Sequence, residues 1–474
     1  MITISELRQK NIFFWLALIL GELAIAFTTF IASYYVFIVL GMALVIFLIL
    51  IYPEVSYYLL TLTFVNHVIQ LTIPSYNFML IDFLSFIFTF IVLAAWTLAR
   101  MSKIRMGHPG SPLTLQMAFF MAWAVLSLLW VLEYSAGLLE LTVLASGYLT
   151  YYVSVAIIRT KKVFNTVILL LIFLGLVNSI LAFYTVYSSE SQYIYKEIFS
   201  YDGFVLAFTF NSLPKARGSG LSYTQATALF LNIAIMYGIS LFFIETIRSR
   251  KIIIVLIVLF MISANLTTLS KGGLMGLFAG LTVFVLGKKP LRRRFLLTTA
   301  CIILTMVLLF MLSRLDNLGK AFTEGVAGTL TEAGGTSLPT RLLYWGKGFD
   351  DMLSNYGFGT GIGNFYYLTG TSRFHAHSMY FSVIFAFGFI GLILWAWLCV
   401  KTLYISISGL LNCEDMYFKN MLLGFIAGLM SIFAFGLVDL MFWATVLWTF
   451  LGIGMALLNI SKRSSEKTIS AGSI

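Results

Sequence analysis

The stretch "FHAHSMYFSVIFAFGFIGLILW", Phe374 to Trp395, sets His375 and His377 against the start of an apolar run, and these are half of the four histidines in the chain. An imidazole titrates near neutrality, so it can take a proton from an attacking hydroxyl. His377 falls at the N-terminal mouth of the predicted helix, where the positive dipole end favours the neutral, proton-accepting ring. A histidine satisfied by a nearby backbone carbonyl is the plainer alternative. Two arginines offer complementary chemistry. "PKARGSGLSYTQA" puts Arg217 just before an apolar run, and "LPTRLLYW" puts Arg341 at the start of an amphipathic segment. Guanidinium forks suit bidentate capture of phosphate oxygens. "GFGTGIGNF", with Gly357, Gly359, Gly361 and Gly363, superficially resembles a phosphate loop. It follows no soluble strand, so it reads as a tight turn packed against helices. The chain has no H-E-x-x-H, no G-x-S-x-G and no Walker lysine.

Membrane helices have to position these groups. The 474 residues are 60% hydrophobic and 10% charged, with a mean hydropathy of +0.97. Apolar runs near the ~20 residues needed to cross a bilayer recur from end to end. Unpaired backbone groups are costly in lipid, so the runs are read as helices. Spans are expected at roughly 12 to 30, 36 to 52, 54 to 73, 78 to 99, 113 to 132, 139 to 158, 163 to 184, 223 to 245, 252 to 269, 273 to 287, 295 to 312, 378 to 404, 420 to 437 and 441 to 460. The fold class is therefore an all-α polytopic membrane protein of about 12 to 14 transmembrane helices.

Its organisation is N-terminal helices over 1–184, a first extracytoplasmic loop over 185–222, central helices over 223–312, a large extracytoplasmic loop over 313–377, and C-terminal helices with a cytoplasmic tail over 378–474. Most of the 30 Lys and Arg residues fall on one side, which the positive-inside rule makes cytoplasmic. The exceptions are Lys196, Lys215, Arg217, Lys271, Arg314, Lys320, Arg341, Lys347 and Arg373, mostly in the two long loops. The net charge of +11 thus needs no nucleic acid, and "KKPLRRR" at 288 to 294 reads as a topology anchor beside anionic headgroups. The run after Arg8 and Lys10 reads as a retained helix. Cys301, Cys399 and Cys413 suggest neither a disulfide nor a metal cluster. In "RLLYWGKGFDDML", Leu342, Trp345, Phe349 and Leu353 share one face of a short amphipathic helix, which could lie on the membrane surface. Gly388 and Gly391, three apart, suit close helix packing.

His377-Ser378-x9-Gly388-x-x-Gly391 resembles the His-[Asn/Ser/Gln]-x9-Gly-x-x-Gly signature of the bacterial O-antigen ligase family, which shares a superfamily with many O-antigen and exopolysaccharide polymerases. Upstream, Arg217-Gly-Ser-Gly is similar to that family's arginine-glycine segment, "LSKGGLMGL" at 269 to 277 to its Ser-Arg-Gly segment, and Arg341-x3-Trp345 with the glycine stretch to the segment before its histidine. The matches run in order from Arg217 to Trp395. Lys271 stands where the family usually has arginine, and Leu392 where the ligases tend to have a small or hydroxylated residue.

The resemblance implies a transferase of the GT-C-like glycosyltransferase class that needs no metal or other cofactor. Its donor would be an undecaprenyl-diphosphate-linked glycan and its acceptor a glycan or glycolipid hydroxyl, at the outer face of the bacterial inner membrane. His377 would be the base, with Arg217 and Arg341 stabilising the diphosphate. Lys215, Lys271 and Arg373 would guide the donor, and His375 would support. A ligase transfers to lipid A core and a polymerase to another lipid-linked repeat; the His-Ser-x9 spacing leans to the ligase. A polysaccharide transporter or flippase would be polytopic too, but should carry ionisable residues near the bilayer midplane and often discontinuous helices. Asp82 and Glu22 are the main mid-span acids.

Overall fold

The computed structural model describes residues 69–73, 78–80, 111–131, 133–187, 194–201, 204–210, 224–287, 338–363, 376–439 and 445–472. Their elements in chain order are β1 (Ile69–Ile73), β2 (Phe78–Leu80), α1 (Thr114–Leu126, extended by a 3-10 turn at Ser127–Trp130), α2 (Tyr134–Ile157), α3 (Lys161–Tyr187), β3 (Ile194–Tyr201), β4 (Phe204–Phe210), α4 (Thr224–Ile244), α5 (Arg248–Thr267), α6 (Lys271–Gly287), α7 (Leu338–Ser354), α8 (Met379–Leu411), α9 (Met416–Phe435) and α10 (Thr445–Gly472). Six of them, α2, α3, α4, α5, α8 and α9, are long and apolar enough to cross a membrane, and α1 and α6 are shorter apolar helices. Each span expected between 113 and 287 and between 378 and 460 corresponds to one described helix. Those at 12 to 30, 36 to 52 and 295 to 312 lie outside the described residues.

The polytopic helical architecture holds, with one addition. An antiparallel sheet runs in the order β2-β1-β4-β3. It corrects the expectation that spans extend to 73 and restart at 78. Ile69–Ile73 ends at Pro74, which a helix interior does not accept, and β1 instead pairs with β2 and β4. β3 and β4 fall in the segment read as the first long loop. Tyr201 pairs with Phe204, leaving Asp202-Gly203 between them, a composition that two-residue hairpins favour.

Within the bundle, α4 and α9 are apolar all round and buried over most of their surfaces, as central helices must be. The short helix α6 packs on both. Its glycines permit that approach: a Cβ at Gly273 would stand 2.5 Å from Ala228, at Gly276 2.8 Å from Ser431 and Asn232, and at Gly280 2.6 Å from Met236. Polar groups join the same helices. Asn232 donates to the Gly273 carbonyl at 2.8 Å, and Asn265 donates to Asn232 Oδ1 at 2.8 Å and to the Ala228 carbonyl at 3.0 Å, tying α4, α5 and α6 together. The other side of the core is aromatic. Tyr148, Trp448, Trp395, Phe120 and Phe387 touch in sequence, with centroid separations of 4.9 to 6.1 Å.

Charge separates the two ends of the bundle. Arg159, Lys161 and Lys162 flank the α2–α3 turn, Arg248, Arg250 and Lys251 begin α5, Lys419 lies in the first turn of α9, and Lys462 and Arg463 follow the apolar part of α10. Contacts unite this basic end: Lys161 lies 3.8 Å over the Tyr417 ring, and the Tyr417 hydroxyl bonds Asn165. The opposite end holds the starts of α4, α6 and α8 and the end of α9.

Candidate functional site

His377 lies at the opposite end, two residues before α8. Its φ of 45° is left-handed, a conformation few residues other than glycine adopt. Such strain persists only where the surroundings over-determine it. Here they do so from both sides. Downstream, the Met379 amide donates to the Gly436 carbonyl at 2.7 Å, the Ser378 hydroxyl reaches the same oxygen at 3.4 Å, and the Tyr380 hydroxyl donates to the Phe433 carbonyl at 3.1 Å. These bonds dock the start of α8 on the end of α9. Upstream, the Trp345 indole N–H donates to the Ala376 carbonyl at 2.7 Å. His377 is left partly exposed while Ala376 and Ser378 beside it are buried.

Trp345 belongs to α7, the amphipathic helix expected over 341–353. The apolar face of α7 is not simply laid on lipid: Trp345 stacks on Phe381 at 4.2 Å, Phe349 meets Phe381 and Phe385 edge-on at 5.8 and 5.2 Å, and Met352 is buried in the same cluster. Leu353, expected on that face, is exposed instead. The helix thus advances along the first turns of α8. Arg341 sits on α7 four residues before Trp345, which places it on the same side one turn earlier. On α7, burial first and the neighbouring Asp350 charge second hold the Asp351 carboxyl above the usual range, with Lys347 opposing.

Of the Gly388-x-x-Gly391 pair, Gly391 faces Trp123 of α1 as close helix packing expects, whereas Gly388 does something else. Gly388 has φ 66° and ψ −162° inside α8, so the helix breaks there. A break leaves carbonyls without their i+4 amides. Each is satisfied from elsewhere. Phe385 accepts from the Thr360 amide at 2.8 Å, Ala386 from the Gly361 amide at 3.0 Å, and Phe387 from the Trp123 indole at 2.9 Å, while the Phe389 amide donates to Gly357 at 3.0 Å. The glycine stretch 357–363 therefore fills the break, as a structural turn rather than a phosphate loop. A Cβ at Gly388 would lie 2.0 Å from the Gly357 oxygen, and one at Gly391 2.1 Å from the Phe387 Cβ.

Lys271, exposed, opens α6, where Ser270 accepts the Gly273 amide at 3.1 Å. The next residue, Gly272, packs against Phe435 and Val438. Lys271 and His377 thus flank one turn, Gly436 to Asp439, from the α6 and α8 sides. That turn also brings Asp439 to this end, and its only signal in the sequence is an acid closing an apolar run. Glu140 lies on α2 among bundle-facing residues such as Gly137 and Leu144, and its place at the start of an expected span gives it no signal of its own. Lys215, Arg217, Arg373 and His375 lie outside the described residues, as do Asp82 and Glu22. Among the described residues no group of three His, Cys, Asp or Glu side chains is placed to hold a metal ion.

Residues 256–396 match the family model described as O-antigen ligase. The matched segment runs from within α5 to within α8, so it contains Lys271, Arg341, Arg373, His375, His377, the glycine stretch and the break; Lys215 and Arg217 precede it. No curated protein matches the chain.

Proposed function

We propose, from the match of residues 256–396 to the O-antigen ligase family model, that the chain belongs to the O-antigen ligase and polymerase superfamily and is a glycosyltransferase moving a glycan from undecaprenyl diphosphate to a sugar hydroxyl, with lipid A core as acceptor. The observation that carries this reading is the clamped, partly exposed His377, tied through Trp345 to the helix that bears Arg341. In this reading the acceptor oxygen attacks the anomeric carbon and gives its proton to His377 while the bond to the diphosphate oxygen breaks. The leaving group is strongly anionic, and Arg341 and Arg217 act as fixed cations that stabilise it. Lys215, Lys271 and Arg373 guide the donor, His375 has a supporting part, and no cofactor is required. The basic end faces the cytoplasm and the site faces the periplasm or exterior. A discontinuous α8 is a feature transporters also use, but backbone and Trp123 fill this break, with no ionisable side chain among the groups that fill it.

Purified protein is to be given a defined undecaprenyl diphosphate glycan and lipid A core with EDTA present. Coupling to core is expected. Chain growth without core would make the protein a polymerase, and no transfer to either acceptor would overturn the proposal.

A further inference from the structure

We propose that Trp345 is a positioning residue for His377: its indole N–H holds the Ala376 carbonyl and thereby fixes the left-handed conformation in which the histidine is presented. This rests on the reading of His377 as base. The φ and ψ of His377 together set how two successive peptide planes are oriented. The Ala376 carbonyl belongs to the first plane, which Trp345 holds by a 2.7 Å bond. The second leads into Ser378 and α8, whose start is docked on Gly436. With the first plane held directly and the second leading into the docked start of α8, the backbone sets the direction of the His377 Cα–Cβ bond. If the indole bond is removed, the Ala376–His377 plane loses its tie to α7, which favours relaxation of the left-handed strain at His377. The same indole stacks on Phe381 of α8, an apolar contact that packs α7 on α8 and is distinct from the bond that holds the Ala376 carbonyl. Arg341 lies one turn before Trp345 on α7, so a single side chain couples the spacing between the cation-bearing helix and the base.

The stack and the hydrogen bond are separable. Trp345→Phe keeps a ring on Phe381 and deletes the N–H; Phe381→Leu deletes the stack and keeps the N–H. In the transfer assay above, Trp345→Phe should lower kcat by about 10²-fold, the order expected for a misplaced reacting group, with KM for the donor nearly unchanged. It should lower nothing further in a His377→Gln background, where there is no base to misplace. Phe381→Leu should stay near the wild-type rate. Should Trp345→Phe not fold, 3-benzothienylalanine at position 345 keeps the indole shape without the N–H and should give the same loss. A normal rate in either replacement while His377→Gln is inactive overturns the inference and leaves the base assignment standing. An equal loss in the His377→Gln background, or a rise in KM that accounts for the effect, also overturns it by making Trp345 a packing residue. A normal rate in His377→Gln alone overturns the base assignment, and the inference with it.

Discussion

If His377 is the proposed general base, its removal should cost roughly 10²- to 10⁴-fold in rate, whereas a histidine that merely packs at a helix mouth acts through stability. His377→Gln keeps size and a hydrogen-bonding group but cannot take up the proton. Near-complete loss of transfer with normal expression and retained donor binding is therefore the expected result, and His375→Gln should be milder. If both glutamine variants transfer normally, the histidine mechanism is wrong. At Arg341 the test is geometry rather than charge. Arg341→Lys retains the cation but not the two-pronged fork, so transfer should drop sharply in protein that still folds; a wild-type rate would reduce Arg341 to an anchor of α7. His377 is legible in the sequence because its neighbours are local: a hydroxyl residue and an apolar run follow it directly. Trp345 is legible there only as part of an apolar face and of the resemblance, because an amphipathic pattern tells which side of a helix is apolar and not which carbonyl that side meets.

The break in α8 makes a prediction of its own. Gly388 combines a positive φ with contact to the Gly357 carbonyl, so even a methyl group has nowhere to go. Gly388→Ala should abolish monodisperse, thermally cooperative protein in detergent, and an unaltered melting temperature would mean that the glycine stretch does not fill the break. The buried amide pair invites a gentler test. Asn265→Leu strands the Ala228 and Asn232 acceptors and should cost about 1 to 3 kcal/mol, while Asn232→Leu with Asn265→Leu should cost less than the sum of the two. Strict additivity in thermal denaturation would refute coupling between them. Hydropathy located the helices because a span's length and flanking charge are local quantities. It could not locate the break, whose partners Thr360, Gly361 and Trp123 come from a distant loop and another helix, nor β1, which acquires strand character by pairing with β4 far along the chain.

At the scale of the molecule, the division of charge among the described residues supports the proposed orientation of the site. The basic residues that close α2, open α3, α5 and α9, and follow the apolar part of α10 gather at one end, and cytoplasmic loops are the ones that retain such residues. His377, Lys271 and the α7 helix are at the other. A donor whose glycan projects from the outer leaflet can meet the base only if this second end is outside, so the orientation and the mechanism stand or fall together. Lys347 on α7 and Lys462 on α10 are both exposed, and they belong to opposite ends. In a background with Cys301, Cys399 and Cys413 replaced by serine, Lys347→Cys should react with a membrane-impermeant maleimide added to intact spheroplasts, and Lys462→Cys only after the membrane is opened. The reverse pattern would put His377 in the cytoplasm, where the acceptor hydroxyl of an outer-leaflet glycan cannot reach it, and the proposed transfer would have to be abandoned whatever the histidine variants do.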